Sequence, residues 1–214
     1  MNHDFLAPHR RIGEFVDLRP LVPSDAAITF AWRSGDRAMN LNQGARSVEA
    51  QAAWIASRPG NEHNFMIELK DGCPVGMVSL VDIDLHHRRA EPGRFLIGDE
   101  RRARGVPAAV EAMKLVYDLA FDDLGLVRIH GLIASDNTAI LKWQTFLGLQ
   151  IEGRLRNHYF INGHFQDAIS MGLLVGEYQA VTRPKMLNLL AMCRRGPSDQ
   201  PRRPAATDRG VAHV

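Results

Sequence analysis

"RRARGVPAAV", residues 101–110, is a basic cluster at the mouth of an amphipathic run. An apolar stretch, "GRFLIG" at 93–98, precedes it. From Pro107 to Asp122, apolar residues stand at 109, 110, 113, 116, 117, 120 and 121, the period of a helix buried on one face. A strand, a basic turn and a helix start therefore follow one another. The first N–H groups of a helix have no internal partner, and the helix dipole makes that end electropositive, so main chain alone holds an anion there. Arg101, Arg102 and Arg104 add attraction, and Gly105 permits close approach. Pro107 suits the first helical turn, where a missing N–H costs least, although it removes one donor. By itself the stretch reads as a phosphate loop or as a basic surface turn.

Working outward, "VRIHGLIA" (127–134) reads as a buried strand, and "NTAILKWQTFLG" (137–148) as a helix with Asp136 or Asn137 near its cap and Gly148 past its end. "LQIEGRLRNHYF" and "HFQDAISMGLL" flank the turn "ING" as a last hairpin. Upstream, "NFMIELK" and "PVGMVSLVDI" flank Asp71-Gly72, a strong hairpin signal, and "EPGRFLIG" is a third strand. Pro92 within it predicts a bulge or a splayed position, since proline cannot donate to a ladder. "GEFVDLRPLV" predicts an edge strand. A helix capped by Ser24 and stopped at Gly35 follows, then one capped by Ser47 and stopped before Pro59-Gly60. The order β-α-α-β-β-β-α-β-α-β-β predicts a mixed α/β domain over 14–175. Residues 1–13 read as a flexible arm, 176–195 as a helical extension ("PKMLNLLAMCRR"), and 196–214 as a disordered basic tail.

The 214 residues, 45% hydrophobic, suffice for a core without disulfides or metals. Cys73 and Cys193 are far apart and in no ligand spacing, and no signal peptide or membrane-spanning run is evident, so a cytoplasmic location is expected. The net charge of +2 divides unevenly, +5 from Arg183 onward against −3 before it. The body therefore does not read as a nucleic-acid binder. His86 and His87 have no third ligand at metal spacing, and no metal is expected.

Taken together, three segments resemble the GNAT superfamily of acyl-CoA-dependent N-acetyltransferases, and look most like the branch that includes the ribosomal-protein N-terminal acetyltransferases. The loop pattern Gln/Arg-x-x-Gly-x-Gly/Ala is met by Arg102, Gly105 and, imperfectly, Pro107, with Ala103 where a glycine is usual. Asn137 opens a helix that ends in Leu147, Gly148 and Leu149. Glu152, Gly153, Arg156, Gly163 and Asp167 complete the third signature. The resemblance implies a splayed, mostly antiparallel sheet that clamps the pantetheine arm of acetyl-CoA. The pyrophosphate would meet main chain of Arg102, Ala103, Arg104, Gly105 and Val106, at the start of the Pro107 helix. Main chain at Phe95, Leu96 and Ile97 would hold the pantetheine and polarise the thioester. Asn137 would bond the cofactor's amides.

The family's usual tyrosine acid, seven residues after the asparagine, is here Gln144, which supplies no proton at neutral pH. Some relatives have a glutamate where Glu91 stands, relaying the amine's proton; a solvent-facing strand glutamate is the alternative. Tyr159, near the expected acceptor site, is a candidate proton donor or a packing residue. Trp32 and Arg33 end the first helix, in the region that covers the acceptor; Arg33 suits an acidic one. The acceptor is expected to be a small-molecule or peptide amine, with a nucleotide-linked amino sugar as an alternative suggested by "VSLVDIDLHHRRAEPG". A GNAT-fold acyl-CoA-binding protein with little turnover is the other class, favoured by Gln144.

Overall fold

In a computed structural model, residues 9–35, 38, 44–161 and 163–194 are described. Residues 1–8 of the expected arm, Asn162 of the last turn and the expected tail 196–214 lie outside them.

Eight strands form one sheet in the order β1-β2-β3-β4-β5-β6-β8-β7. They are β1 Arg11–Ile12, β2 Val16–Pro20, β3 His63–Leu69, β4 Pro74–Asp84, β5 Arg89–Ile97, β6 Arg128–Ala134, β7 Gln150–Ile161 and β8 His164–Leu174. Every neighbouring pair is antiparallel except β5 and β6. Helices α1 Ala26–Arg33 and α2 Val48–Ala56 separate β2 from β3. A short α3, Glu100–Ala103, leads to α4, Ala108–Asp118; α5, Thr138–Leu147, lies between β6 and β7. A turn, α6 Val175–Glu177, passes through a π turn into α7, Arg183–Arg194.

The hairpin at Asp71-Gly72 forms as expected, with Gly72 at φ +82°, where a side chain would strain the backbone. Ser47 caps α2, its hydroxyl accepting from Ala50 N–H. Asn137 Oδ1 accepts from Ile140 N–H (3.3 Å), and Gly148 closes α5 at φ +106°. The bulge foreseen near Pro92 falls just beyond it: Ser79 faces Gly93 and Met77 faces Leu96, and Arg94 takes φ +50°.

Two expectations are corrected. The β2 segment is not the edge, because residues 11 and 12 of the arm pair outside it as β1. Ser24 does not cap α1: Pro23–Asp25 is a 3₁₀ turn, Asp25 stands at the N-cap position of α1 without a side-chain cap bond, and its carboxylate instead closes the 3₁₀ turn, accepting from Val22 N–H (2.9 Å) while holding both terminal nitrogens of Arg19 at 2.7 Å.

The main core packs α4 against the sheet. Met113, Val116, Tyr117 and Ala120 meet Leu18, Phe65, Ile67, Val78 and Leu80, and Leu147, Met171, Tyr178 and Met186 close the far end. A second cluster, Met77, Leu96 and Ala38 with Trp32 against it, lies apart from that core. Burial runs unbroken from His63 to Glu68, so β3 is covered on both faces. Between Asp17 and Glu68, which pair across β2 and β3, the cations Arg10, Arg19 and Lys70 balance the two buried carboxylates.

Candidate active site

The sheet opens where its single parallel pair fails. Strands β5 and β6 are in register only at Arg89–Arg128 and Ala90–Ile129. Glu91 is the next residue, and its carboxylate lies near the main chain of Leu132. The hydroxyl of Tyr159, reaching over from β7, donates to the Leu132 carbonyl at 3.1 Å. A side chain thus satisfies the Leu132 carbonyl where the ladder has parted. Burial, and then the charge of Asp82, push the Glu91 carboxyl above the ordinary carboxylate value. Burial and Glu91 push the Tyr159 phenol up as well.

A cavity of about 230 Å³ occupies the opening. Its walls are residues 91–95 of β5, 130–134 of β6 and the α5 face bearing Asn137, Ile140 and Gln144, with Arg33, Tyr117 and Tyr159 completing it. Through Phe95, Asn137 and Ile140 it continues into a larger groove along Leu96, Ile97, Ala103, Arg104 and Val106. The structure therefore brings together Glu91, Tyr159, Arg33, Phe95, Asn137 and Gln144 in the cavity, and Leu96, Ile97, Ala103, Arg104 and Val106 in the groove. Trp32 lines neither; its ring covers Gly98, where an added Cβ would lie 2.2 Å from it.

The loop that opens the groove is more ordered than its sequence implied. Asp99 caps α3, accepting from Arg102 N–H at 3.0 Å. The Ala103 N–H bonds the Asp99 carbonyl and the Val106 N–H the Ala103 carbonyl, each at 3.0 Å. Hence Arg102, Ala103 and Val106 are not free main-chain donors. The N–H groups of Arg104 and Gly105 remain, with those of Ala108, Ala109 and Val110 in the first turn of α4. Gly105 sits at φ +80° with open space above it, so glycine answers a backbone need and not a close contact. Pro107 is the N-cap of α4, one position before the first turn, and its carbonyl accepts from Glu111 N–H (3.1 Å). The Arg102 guanidinium turns away to Cys73 Sγ (3.1 Å) and Asp99 (3.7 Å), whereas Arg101 and Arg104 line the groove.

Three cavity residues had no assigned role in the sequence. Arg94 is held by both Glu62 oxygens (2.8 and 3.1 Å) and Asn64 (2.9 Å), and it lies over Trp54. It sits close enough to Arg33 that, after burial, its charge lowers the Arg33 pKa. His130, in β6, is kept neutral by burial and by Arg128 and Arg89. Tyr117 is wholly buried, yet its hydroxyl reaches the cavity wall and donates to Gln144 Oε1 at 3.2 Å. Its position in the apolar period of α4 marked it only as core. Among the described residues, no group of three His, Cys, Asp or Glu side chains could hold a metal ion, and no helix is long and apolar enough to cross a membrane.

Residues 16–150 match the acetyltransferase (GNAT) domain family. A spermidine N(1)-acetyltransferase of Escherichia coli strain K12 is 34% identical over 120 residues, 56% of this chain and 62% of that protein. The chain thus spans about three fifths of the curated relatives it matches first. Among solved structures, a chimera of the Vibrio cholerae spermidine N-acetyltransferase is 25% identical with a TM-score of 0.70, covering 78% of this chain and 99% of that one. A GCN5-related N-acetyltransferase from Brucella melitensis has a TM-score of 0.75 at 24% identity, covering 90% of each chain, a likeness of fold.

Proposed function

The chain belongs to the GNAT acetyltransferase family, and on that premise we propose that it transfers an acetyl group from acetyl-CoA to a primary amine, by direct attack within a ternary complex. The observation that carries this reading is the opening between β5 and β6, continuous with a groove that runs to the start of α4. Once β6 has parted, the β5 main-chain groups that faced it lack a ladder partner, and an extended amide-bearing arm fits such an edge. The remaining N–H groups at 104, 105 and 108–110, with Arg101 and Arg104 beside them, suit a pyrophosphate. Acetyl-CoA brings an acetyl thioester that a free amine attacks.

The remaining roles fall to the chain's own residues. An alkyl ammonium with a pKa of ~10.4 costs roughly 4–5 kcal/mol to deprotonate at pH 7. Glu91, half-buried beside the opening, takes that proton. Tyr159, already donating to Leu132, fixes the wall beside Glu91. Asn137 Oδ1 caps α5, which leaves its amide hydrogens for the pantetheine. Direct attack agrees with the cysteines: Cys193 is exposed on α7, Cys73 sits against Arg102, and neither lines the cavity.

Two acceptor classes have specific support. The relatives named as spermidine N-acetyltransferases favour a polyamine, for which Glu91 with Asp82 behind it supplies negative charge. The adjacent guanidiniums of Arg33 and Arg94 favour an amine that carries an acid group, such as a peptide N-terminus near a carboxylate or a nucleotide-linked amino sugar. Thiol release from acetyl-CoA should be followed with spermidine, short peptides of the ribosomal N-terminal kind and nucleotide-linked amino sugars. Turnover on one class assigns the acceptor. Acetyl-CoA binding without turnover on any amine would replace the transferase reading with an acyl-CoA sensor.

A further inference from the structure

The Tyr117–Gln144 pair lines the cavity from two different helices. Tyr117 stands on α4 and its side chain is wholly buried. Gln144 is half-buried on α5, one face along from Asn137 and Ile140, which line the passage into the groove. A phenol hydroxyl can donate and accept, and a carboxamide has one accepting and one donating end. In the structure the hydroxyl donates to Oε1. Were the amide reversed, the hydroxyl would accept from Nε2, and its own proton would have no acceptor among the described residues, a costly state for a buried group. Burial also pushes the phenol pKa far above neutrality, so Tyr117 remains a donor at any working pH. Tyr117 thereby fixes the amide with Oε1 inward and both Nε2 hydrogens left for the cavity.

We propose that Gln144 Nε2 is the hydrogen-bond donor to the departing sulfur, and that Tyr117 is the positioning residue that aims it. This rests on the acetyl-transfer reading. Glu91 takes one proton from the ammonium before attack; when the N–C bond forms and the C–S bond breaks, the electron pair passes to sulfur, which leaves as the thiolate, and the nitrogen's second proton passes to water. A charge-assisted bond from a neutral amide stabilises that anion without protonating it, and the thiolate takes its proton from water afterwards. No protein acid is needed, and a glutamine at this position is not a defect.

The test reads the sulfur itself. Coenzyme A bound to the enzyme is titrated by the ultraviolet absorbance of its thiolate, with the unliganded enzyme subtracted to remove Cys73 and Cys193. A donor to sulfur makes the bound thiol more acidic. Gln144→Leu, close in volume, should reduce its ionisation constant about tenfold, the weight of one bond to an ionised group. Gln144→Glu, which offers no donor at neutral pH, should reduce it further, and Tyr117→Phe should give an intermediate value. Turnover with acetyl-CoA should fall in the same order with the acceptor KM little changed. Equal thiol ionisation in wild type and Gln144→Leu would overturn the assignment, as would a Tyr117→Phe enzyme with wild-type thiol acidity. Failure of coenzyme A to bind at all would instead overturn the transferase reading, and calorimetry separates the two.

Discussion

At Glu91 the last rung of the β5–β6 ladder gives way to an opening, with the carboxylate beside the main chain of Leu132. Burial there raises its pKa, which would make it a better base. If Glu91 is that base, the acid limb of kcat/KM lies above the carboxylate value of 4.5. Glu91→Gln, close in shape, should lose about 10²-fold in turnover together with that limb. An unchanged pH–rate profile in this variant rejects the assignment. His63 presents the opposite sign. Both its ring nitrogens are buried without a hydrogen-bond partner among the described residues, and burial, then Arg11 and His9, lower its pKa. The unfolded chain therefore binds a proton near pH 6.5 that the native state refuses until lower pH. Its contribution is present above 6.5 and is lost as pH falls, by about 1.4 kcal/mol per unit of pH at most. The melting temperature should drop from about pH 7 to about pH 5.5, before the carboxylates titrate, and His63→Leu should flatten that segment. The family resemblance offered Glu91, Asn137 and Gln144 as candidates, and all three line the cavity. It hid Tyr117, because a polar atom at the tip of a core side chain leaves no mark on a hydrophobic period.

The elements that were legible have long periods or strong punctuation: the Asp71-Gly72 hairpin, the Ser47 and Asn137 caps, α4 and the β7–β8 hairpin. Those missed are the two-residue β1 and the four-residue α3, too short for any periodicity to register. Both are held by distant partners. Glu111 lies outside the apolar positions that define α4, which marks it as exposed, yet it is buried. Its carboxylate accepts the N–H groups of Glu14, Phe15 and Val16 at 2.7, 2.6 and 2.7 Å and so anchors the start of β2 to α4. Glu111→Ala would leave these donors unmatched and should cost about 3 kcal/mol, a drop of roughly 6–12 °C in melting temperature. Glu111→Gln, keeping one oxygen, should lose about half as much. A loss below ~0.5 kcal/mol for the alanine variant would mean that water replaces the carboxylate. In the α3–α4 turn, Gly105 separates two effects. Gly105→Ala strains a positive φ in open space and should cost about 1 kcal/mol of stability. Gly105→Glu adds a negative charge, so any further loss of acetyl-CoA affinity, expected to exceed tenfold, reports an anion at this turn. Equal affinity in the two variants would place the pyrophosphate elsewhere.

For the whole molecule, the decisive feature is a failure of pairing, which no local pattern encodes. "EPGRFLIG" and "VRIHGLIA" each read as strands, but nothing in either fixes their shared register at two rungs. That depends on the β5 bulge near Arg94, on Tyr159 taking the Leu132 carbonyl and on α5 residues lining the gap. A split sheet costs ladder bonds, and the fold recovers them only where side chains, or a bound molecule, replace the missing strand. Acetyl-CoA should therefore act as that strand. At 100 times its Kd it should stabilise the protein by about 2.7 kcal/mol. Hydrogen exchange should slow beyond that global effect at residues 93–97 of β5, at 131–134 of β6 and at 104–110 in the turn and first helical turn, while Met186 and Leu190 in the core face of α7 slow by the global effect alone. The three segments belong to different elements and meet only around the cavity and groove, so joint protection requires one ligand spanning both. Protection of 104–110 alone would place the phosphates at α4 but leave the sheet unentered, and the acetyl group would then lie away from Glu91. Uniform slowing across the chain would mean global stabilisation without a located site. Protection of the two strands that Glu91→Gln preserves, and that a coenzyme A fragment lacking pantetheine fails to produce, would assign the opening to the pantetheine arm.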